Sequence, residues 1–371
     1  MTHILEGVTN LTLADLEAAI AGERSILPLP ADTNAATLLK DSQYVGTDIA
    51  ADIAIVAATS GSTGTPKGAL LTAANLVASA DATHQALGGE GQWLLAMPRF
   101  YIAGIQVLVR SLIAGWEPVI QDVSRGFDIP TFAAAAAQLE HSRRYTALTP
   151  HQLLKAMSSL AGIEALRSFD AILVGGAPLR AQDRKAATEL GIHVVNTYGS
   201  SETAGGCIYD GKPLPGVKVR IAAGRIWLGG PTIARGYRNV PNASAFATPG
   251  WFATSDAGEI RGGRLQVAGR LDSIIDSGGL KLHPEVVEQQ LHDIPGVDQA
   301  IVVGIPDARL GQAIAVAYTG TIPPHDIVAG LEHMPRWQLP KVVEHVDSLP
   351  TLASGKVDRV RVQQLLTARK Y

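Results

Sequence analysis

The sequence predicts an α/β protein with a large N-terminal α/β domain, built on a parallel sheet with a small β-barrel-like subdomain, followed by a small α+β C-terminal domain. Three observations predict it. From residue 53 to about 209, short apolar runs alternate with amphipathic stretches, the pattern of strands and helices laid down in turn. After Tyr209 short strand-like runs are separated by glycine-containing turns. A third texture, strand–helix–strand–strand, begins near Leu271. At 371 residues the chain exceeds one average core, so separate domains are expected at 1–270, with its β-rich part at about 210–270, and at 271–371.

The first fifty residues are weakly patterned, with Leu13, Leu16 and Ile20 at helical spacing inside a helix expected over 12–21. Ile53–Ala58 reads as a buried strand, and 75–87 as the helix after it. Strands are expected at 93–96, 119–121, 147–148, 171–174 and 193–196, with helices at 105–114, 130–140, 151–157 and 180–190 between them. The alanine run 133–137 is good helix sequence. In the β-rich part the expected strands are 217–221, 225–228, 259–260 and 265–268. Beyond the joint at 270–272 come a strand at 274–275, a helix from Pro284 to Leu291 and strands at 299–303 and 314–318. Pro284 suits a first helical turn, where a missing N–H costs little.

Composition narrows the partners. Formal net charge is −3 and no basic run exceeds two residues, so no nucleic-acid surface is expected. The Arg143-Arg144 pair reads as the solvated start of a strand. Cys207 is the only cysteine, which rules out an internal disulfide and points to a reducing, cytoplasmic compartment. The N-terminal residues lack a signal-peptide pattern, and no apolar run approaches the ~20 residues that would span a bilayer. A homodimer is the ordinary expectation for a cytosolic enzyme.

Residues 59–68 carry the most information: Thr59, Ser60, Gly61, Ser62, Thr63, Gly64, Thr65, Pro66, Lys67, Gly68. Glycines permit close backbone approach, hydroxyls and bare N–H groups donate to phosphate oxygens, and Lys67 supplies positive charge. The strand–loop–helix setting suggests a Walker A loop, but that motif places its second glycine where Pro66 stands, and a hydroxyl residue where Gly68 stands. The spacing excludes it.

Other segments are weaker singly. The run Asn196 to Thr203 follows a strand: Tyr198 can stack on a purine, Ser201 can reach phosphate, and Glu202 can hold Mg²⁺ beside nucleotide oxygens. Gly199 shares this loop. Gly175, Gly176 and Ala177 end the preceding strand and fit a backbone wall against a flat base. Asp256 precedes a turn, as capping and turn residues do, yet a carboxylate also suits vicinal ribose hydroxyls. Arg270 could reach ribose or phosphate, with Asp272 just after it and Gly278, Gly279 and Lys281 close behind. Lys356 follows a small turn near the C-terminus, where a solvated surface lysine is the plain reading.

Taken in order, the glycine–hydroxyl loop, Tyr-Gly-Ser-Ser-Glu202, Ser-Asp256-Ala-Gly, Gly-Arg270-Leu-Asp272 and Ser-Gly-Lys356 resemble the adenylate-forming superfamily of acyl- and aryl-CoA synthetases, luciferases and peptide adenylation domains. The resemblance runs from about Ile53 to Lys356. It implies that a carboxylic acid attacks the α-phosphate of ATP, that pyrophosphate leaves, and that a thiol such as CoA takes the acyl group. It further implies that Thr59 to Lys67 grip phosphates, Glu202 holds Mg²⁺, Ser201 reaches phosphate, and Tyr198 stacks on adenine. Asp256 and Arg270 would hold ribose, and Lys356 would bridge carboxylate and α-phosphate oxygens. Asp272 would be the hinge of the small domain, and the loop 277–281 would shape a thiol channel. Two departures stand out: only fifty-eight residues precede Thr59, and Tyr101 replaces the family's histidine in the segment from Pro98 to Gly104.

The same resemblance places the acyl pocket along 98–110, through Tyr101, Gly104 and Arg110, and around Gly175 and Gly205. Arg110 is the only charge on an apolar helix. It reads either as a snorkelling end or as a two-pronged partner for a second carboxylate. Within the superfamily, the run from Tyr101 to Ser111 and the segment from Gly205 to Gly211 look most like the o-succinylbenzoate–CoA ligases of menaquinone biosynthesis, whose substrate is an aromatic dicarboxylate. Another aryl- or acyl-CoA ligase, transfer to a carrier-protein arm, and a non-catalytic nucleotide-binding relative are the alternatives.

Overall fold

A computed structural model describes residues 1–59, 65–351 and 357–369. The backbone divides into two compact units: Met1–Arg220 with Trp227–Thr254 and Gly262–Leu265, and Ile221–Ile226 with Ser255–Arg261 and Gln266–Tyr371.

Two sheets with parallel centres organise the first unit. One has the spatial order Asp48–Ala50, Thr2–Thr9, Ser25–Leu29, Ile53–Ala58, Gly68–Thr72. Its three middle strands are parallel and its two edge strands antiparallel. The other runs Lys212–Pro213, Gly205–Tyr209, Val194–Ser200, Ala171–Val174, Arg144–Leu148, Gln92–Leu95, Val119–Ile120. Its last five strands are mutually parallel. The all-buried pattern of Gln92–Leu95 and Ala171–Val174 follows from helices covering both faces of a parallel sheet. Helices Ile129–Ala136, Pro150–Met157 and Leu160–Arg167 contribute to one apolar core, where Phe132 and Phe169 join Leu94, Leu148 and Val174. Each such side chain taken from water contributes about 1.5–3 kcal/mol.

The helix Leu13–Ile20 lies inside the span expected for it, and Thr12 and Asp15 cap it reciprocally. The strands flanking it escape a sequence reading for a physical reason. Ser25–Leu29 is buried throughout, so it lacks period-two alternation, and it contains Pro28, which usually argues against a strand. A short strand, Gly68–Thr72, precedes the helix Ala73–Leu87, so the loop at 59–68 joins two antiparallel strands in register Ala58↔Gly68. The expected strand–loop–helix arrangement is therefore corrected to a strand–loop–strand one. Thr72 and Asn75 form the capping box that lets the helix begin directly after the strand. Lys218–Ala222, Arg225–Gly229, Trp251–Arg261 and Arg264–Arg270 form a four-stranded sheet in sequence order.

In the second unit, Val297–Asp307 and Gly311–Gly320 make a long hairpin. Leu280–Leu282, Ile275–Ser277 and Val342–His345 complete its sheet, with helix Pro284–His292 packed against it. Helix Arg359–Arg369 is fastened at its first residue. Arg359 pairs with the buried carboxylate of Glu288 and donates to the Val302 carbonyl at 2.9 Å, while Glu288 accepts from the Val302 N–H at 2.9 Å. Burial raises the Glu288 pKa, against the nearby Arg359 charge. Removing Arg359 would leave that carboxylate unpaired at a cost of about 3–5 kcal/mol.

Candidate active site

The base of the loop 59–68 is pinned from several directions. The Thr59 N–H donates to the Lys67 carbonyl at 2.7 Å, closing the loop on itself. The Pro66 carbonyl accepts from Gln43 Nε2 and from Asn239 Nδ2, both at 2.8 Å. The segment carrying Asn239 lies alongside Gly68–Thr72: Leu70 N–H bonds to Gly236, and Gly68 accepts from Arg238. Gly68 is required, because a Cβ there would collide with Gln43 and Val56. Ser60, Gly61, Ser62, Thr63 and Gly64 lie outside the described residues.

The second segment meets the first at Ala58, whose carbonyl accepts from Ser201 Oγ at 3.4 Å. Residues 197–200, expected as a strand-end loop, instead continue the strand Val194–Ser200 and pair with Gly205–Tyr209. A bulge between Tyr198 and Gly199 re-aims the chain there. Gly199 is forced by this pairing, since a Cβ would strike Gly205 and Gly206. A single turn, Ser201–Thr203, then places Glu202 in a buried position. Tyr237 donates to Glu202 Oε1 at 2.6 Å, and Lys67 Nζ stands 5.2 Å from the centre of the Tyr237 ring. Burial, then the Glu202 charge, drives the Tyr237 pKa upward, so the phenol stays a donor. Among the described residues no group of three metal-ligating side chains exists. One anchored carboxylate is nevertheless what Mg²⁺ asks of a protein when phosphates supply further ligands.

Gly175 abuts Thr197, where a side chain would clash, while Gly176 holds a φ of +82° and, with Ala177, is exposed. Tyr101 caps the helix Ile102–Ala114 without a side-chain bond, and its ring lies 4.2 Å from that of Phe100. Burial raises its pKa. Gly104 is compelled by the Pro98 carbonyl, into which a Cβ would run.

Arg110 is only 3% exposed, and its Nε has no hydrogen-bond partner among the described residues. No ion pair to a carboxylate joins it among the described residues. Its guanidinium lies 5.0 Å from the centre of the Trp93 ring. Burial lowers its pKa, with Tyr209 opposing. His84 accepts from Trp93 Nε1 at 3.4 Å, and burial, then the Arg110 charge, drops its pKa to about 4. The snorkelling alternative for Arg110 is thereby excluded, since its head is buried. A cation in such surroundings is expensive without a counter-charge.

In the second unit, Asp256 sits inside the strand Trp251–Arg261, correcting its expected place before a turn. Arg270 Nε donates to Asp272 Oδ1 at 2.7 Å, and Arg270 reaches Asp256 at 3.9 Å. The bond to Asp272 is the leading reason the Arg270 pKa is raised. The loop expected over 277–281 is a tight hairpin: Gly278 and Gly279, at φ +65° and +83°, turn between Ile275–Ser277 and Leu280–Leu282. Lys281 pairs in register with Asp276. Lys356 lies outside the described residues.

Residues 14–238 match the family model described as AMP-binding enzyme, and 286–356 match the AMP-binding enzyme C-terminal domain. The chain belongs to the AMP-binding enzyme family. This AMP-binding enzyme is 45% identical over 369 residues to a probable 2-succinylbenzoate–CoA ligase of Mycobacterium tuberculosis, covering 96% of each chain. It is 31% identical to a 2-succinylbenzoate–CoA ligase of Enterococcus faecalis, covering 83% of this chain and 69% of that one. Its fold is that of the o-succinylbenzoate coenzyme A synthetase of Bacillus subtilis in complex with ATP and magnesium ion, at TM-score 0.84 and 21% identity, over 98% of this chain and 89% of that one.

For this AMP-binding enzyme the structure brings Thr59, Lys67, Ser201 and Glu202 into one neighbourhood, and Asp256, Arg270 and Asp272 into another. Sequence reasoning missed Tyr237, Asn239 and Gln43. The Ala-Arg-Gly-Tyr-Arg-Asn run ending at Asn239 was a visible signal, with a glycine bracketed by polar residues. Cys207 is fully buried and its pKa is pushed up to about 12, so it is no nucleophile.

Proposed function

We propose that this protein is an AMP-forming acid–thiol ligase that adenylates 2-succinylbenzoate with ATP and transfers the acyl group to CoA, releasing AMP and pyrophosphate. The observation that carries the substrate is Arg110: a buried guanidinium with no carboxylate partner among the described residues calls for an anion, and a dicarboxylate brings one besides the carboxylate that reacts. Likeness to named 2-succinylbenzoate–CoA ligases supports the same acid and a role in menaquinone biosynthesis.

In this reading Thr59, Ser60, Gly61, Ser62, Thr63, Gly64 and Lys67 hold the β- and γ-phosphates, and Ser201 assists. Mg²⁺, when bound, neutralises phosphate charge, and Glu202 would hold it with Tyr237 fixing one carboxylate oxygen. Tyr198 and Gly199 flank adenine, with Gly176 and Ala177 as its backbone wall. Tyr101, Gly104, Gly175 and Gly205 line the acyl side. Asp256 and Arg270 bind ribose, and Lys356 bridges the reacting oxygens. The chemistry asks for charge neutralisation and in-line alignment more than for an acid–base pair. The working division is 1–270 for the adenylate-binding domain and 271–371 for the small domain, with Asp272 as hinge. Gly278, Gly279 and Lys281 border the CoA channel. No described helix is long and apolar enough to cross a membrane, and a cytoplasmic homodimer is the form we assign.

The test is pyrophosphate exchange and thioester formation over a panel of acids, with and without CoA. Preference for 2-succinylbenzoate, with thioester only when CoA is present, is the expected outcome. Preference for a monocarboxylate would defeat the substrate assignment. ATP binding with no acyl-adenylate from any acid would defeat the enzyme reading.

A further inference from the structure

Gln106 is 1% exposed, and among the described residues neither its amide oxygen nor its amide nitrogen has a hydrogen-bond partner. It stands on the helix Ile102–Ala114 four residues before Arg110, so both project from one helical face about 6 Å apart along the axis. On its other side, Gln106 Cγ lies 3.2 Å from where a Cβ on Gly205 would stand. Gly205 itself has φ +96° and follows the buried Glu202 by three residues. One helix face thus leads from Gly205, past Gln106, to Arg110.

A buried amide with both ends idle costs stability and gives the fold nothing in return. A leucine in its place would pack the helix better. Such a residue signals a ligand that completes it. If Arg110 takes the carboxylate that does not react, and the reacting one lies toward Glu202, the middle of the acid passes Gln106. In 2-succinylbenzoate that middle is an aryl ketone, an acceptor with no charge. We infer that Gln106 is a specificity-determining residue whose amide N–H donates to the ketone between the two carboxylates. This rests on the dicarboxylate reading of Arg110 and goes beyond it by assigning the uncharged part of the acid. No bond forms or breaks at Gln106; it selects and orients.

The experiment compares kcat/KM, read as pyrophosphate release, for 2-succinylbenzoate and for its deoxo analogue, in which a methylene replaces the ketone and both carboxylates remain. Wild-type protein favours the keto acid by about tenfold, the yield of one neutral hydrogen bond. Gln106→Leu and Gln106→Met bring that ratio close to one. Thermal unfolding of both variants at or above the wild-type midpoint shows that the fold is intact. Arg110→Met lowers kcat/KM for both acids together and leaves their ratio as in wild type. A ratio unchanged in the Gln106 variants overturns the inference. So does a wild-type ratio near one, and if Arg110→Met still raises KM for both acids, the dicarboxylate reading survives that result. Turnover of neither acid by the wild type overturns the function itself, and this inference with it.

Discussion

Tyr237 donates its hydroxyl proton to Glu202 Oε1 at 2.6 Å, and Lys67 stands over the face of the same ring. Two residues read from sequence as a metal ligand and a phosphate ligand are thus held by a third that sequence reading passed over. The tyrosine fixes one carboxylate oxygen. Its lysine contact places a cation on the ring's negative face.

Tyr237→Phe keeps the ring and removes the donor. Glu202 then loses a charge-assisted bond at a buried oxygen. The expected result is about a tenfold higher Mg²⁺ requirement in pyrophosphate exchange, with KM for the acid little changed. An unaltered Mg²⁺ titration would make Tyr237 a packing residue.

Arg110→Met separates cost from use. Removing a buried guanidinium that has no carboxylate partner among the described residues raises stability in the absence of acid, by roughly 1–4 kcal/mol, seen as a higher Tm. The same change raises KM for a dicarboxylate about a hundredfold while KM for ATP stays put. Lower stability with unchanged acid kinetics would return Arg110 to a structural role through its contact with Trp93.

The loop 59–68 stands out locally, since its glycines, hydroxyls and lysine are neighbours in the chain. The clamp on that loop does not, because Asn239 reaches Pro66 across 173 residues and Gln43 reaches it across 23. Pairing between distant strands has no local signature. The same holds for Val194–Ser200: its last residues look like a loop because their strand partner, Gly205–Tyr209, returns through a single turn and a bulge. Asp256 was misplaced because Ser-Asp-Ala-Gly favours a turn locally, whereas the strands on either side extend it. Arg110 was visible as a lone charge on an apolar helix, but only its burial in the fold excludes a snorkelling end.

Lys356→Ala tests the division of labour between half-reactions. Loss of one charge at phosphate in a water-poor site lowers the adenylation rate about 10²–10³-fold. Thioester formation from supplied acyl-adenylate and CoA stays near wild type, because pyrophosphate has already left. Stopped-flow measurement of each half-reaction decides, and equal loss in both contradicts the assignment.

His84 gives the fold a dependence on pH. Burial, then the charge of Arg110, holds its pKa at about 4 against an ordinary 6.5. Between those values the unfolded chain binds a proton that the folded chain refuses, so stability falls as pH drops from 6.5 toward 4 and levels off below. The largest effect this allows is about 3 kcal/mol, reduced by whatever solvent screening reaches the ring. His84→Met removes this group, and its loss of the bond from Trp93 Nε1 is independent of pH. Urea unfolding from pH 7 to pH 4 therefore shows a shallower decline in the variant than in wild type. Arg110→Met on the wild-type histidine also flattens the decline, because one of the two causes of the shift is gone. Parallel curves for all three proteins would mean that His84 is protonated in the folded state beside Arg110, against the tautomer that its bond from Trp93 requires.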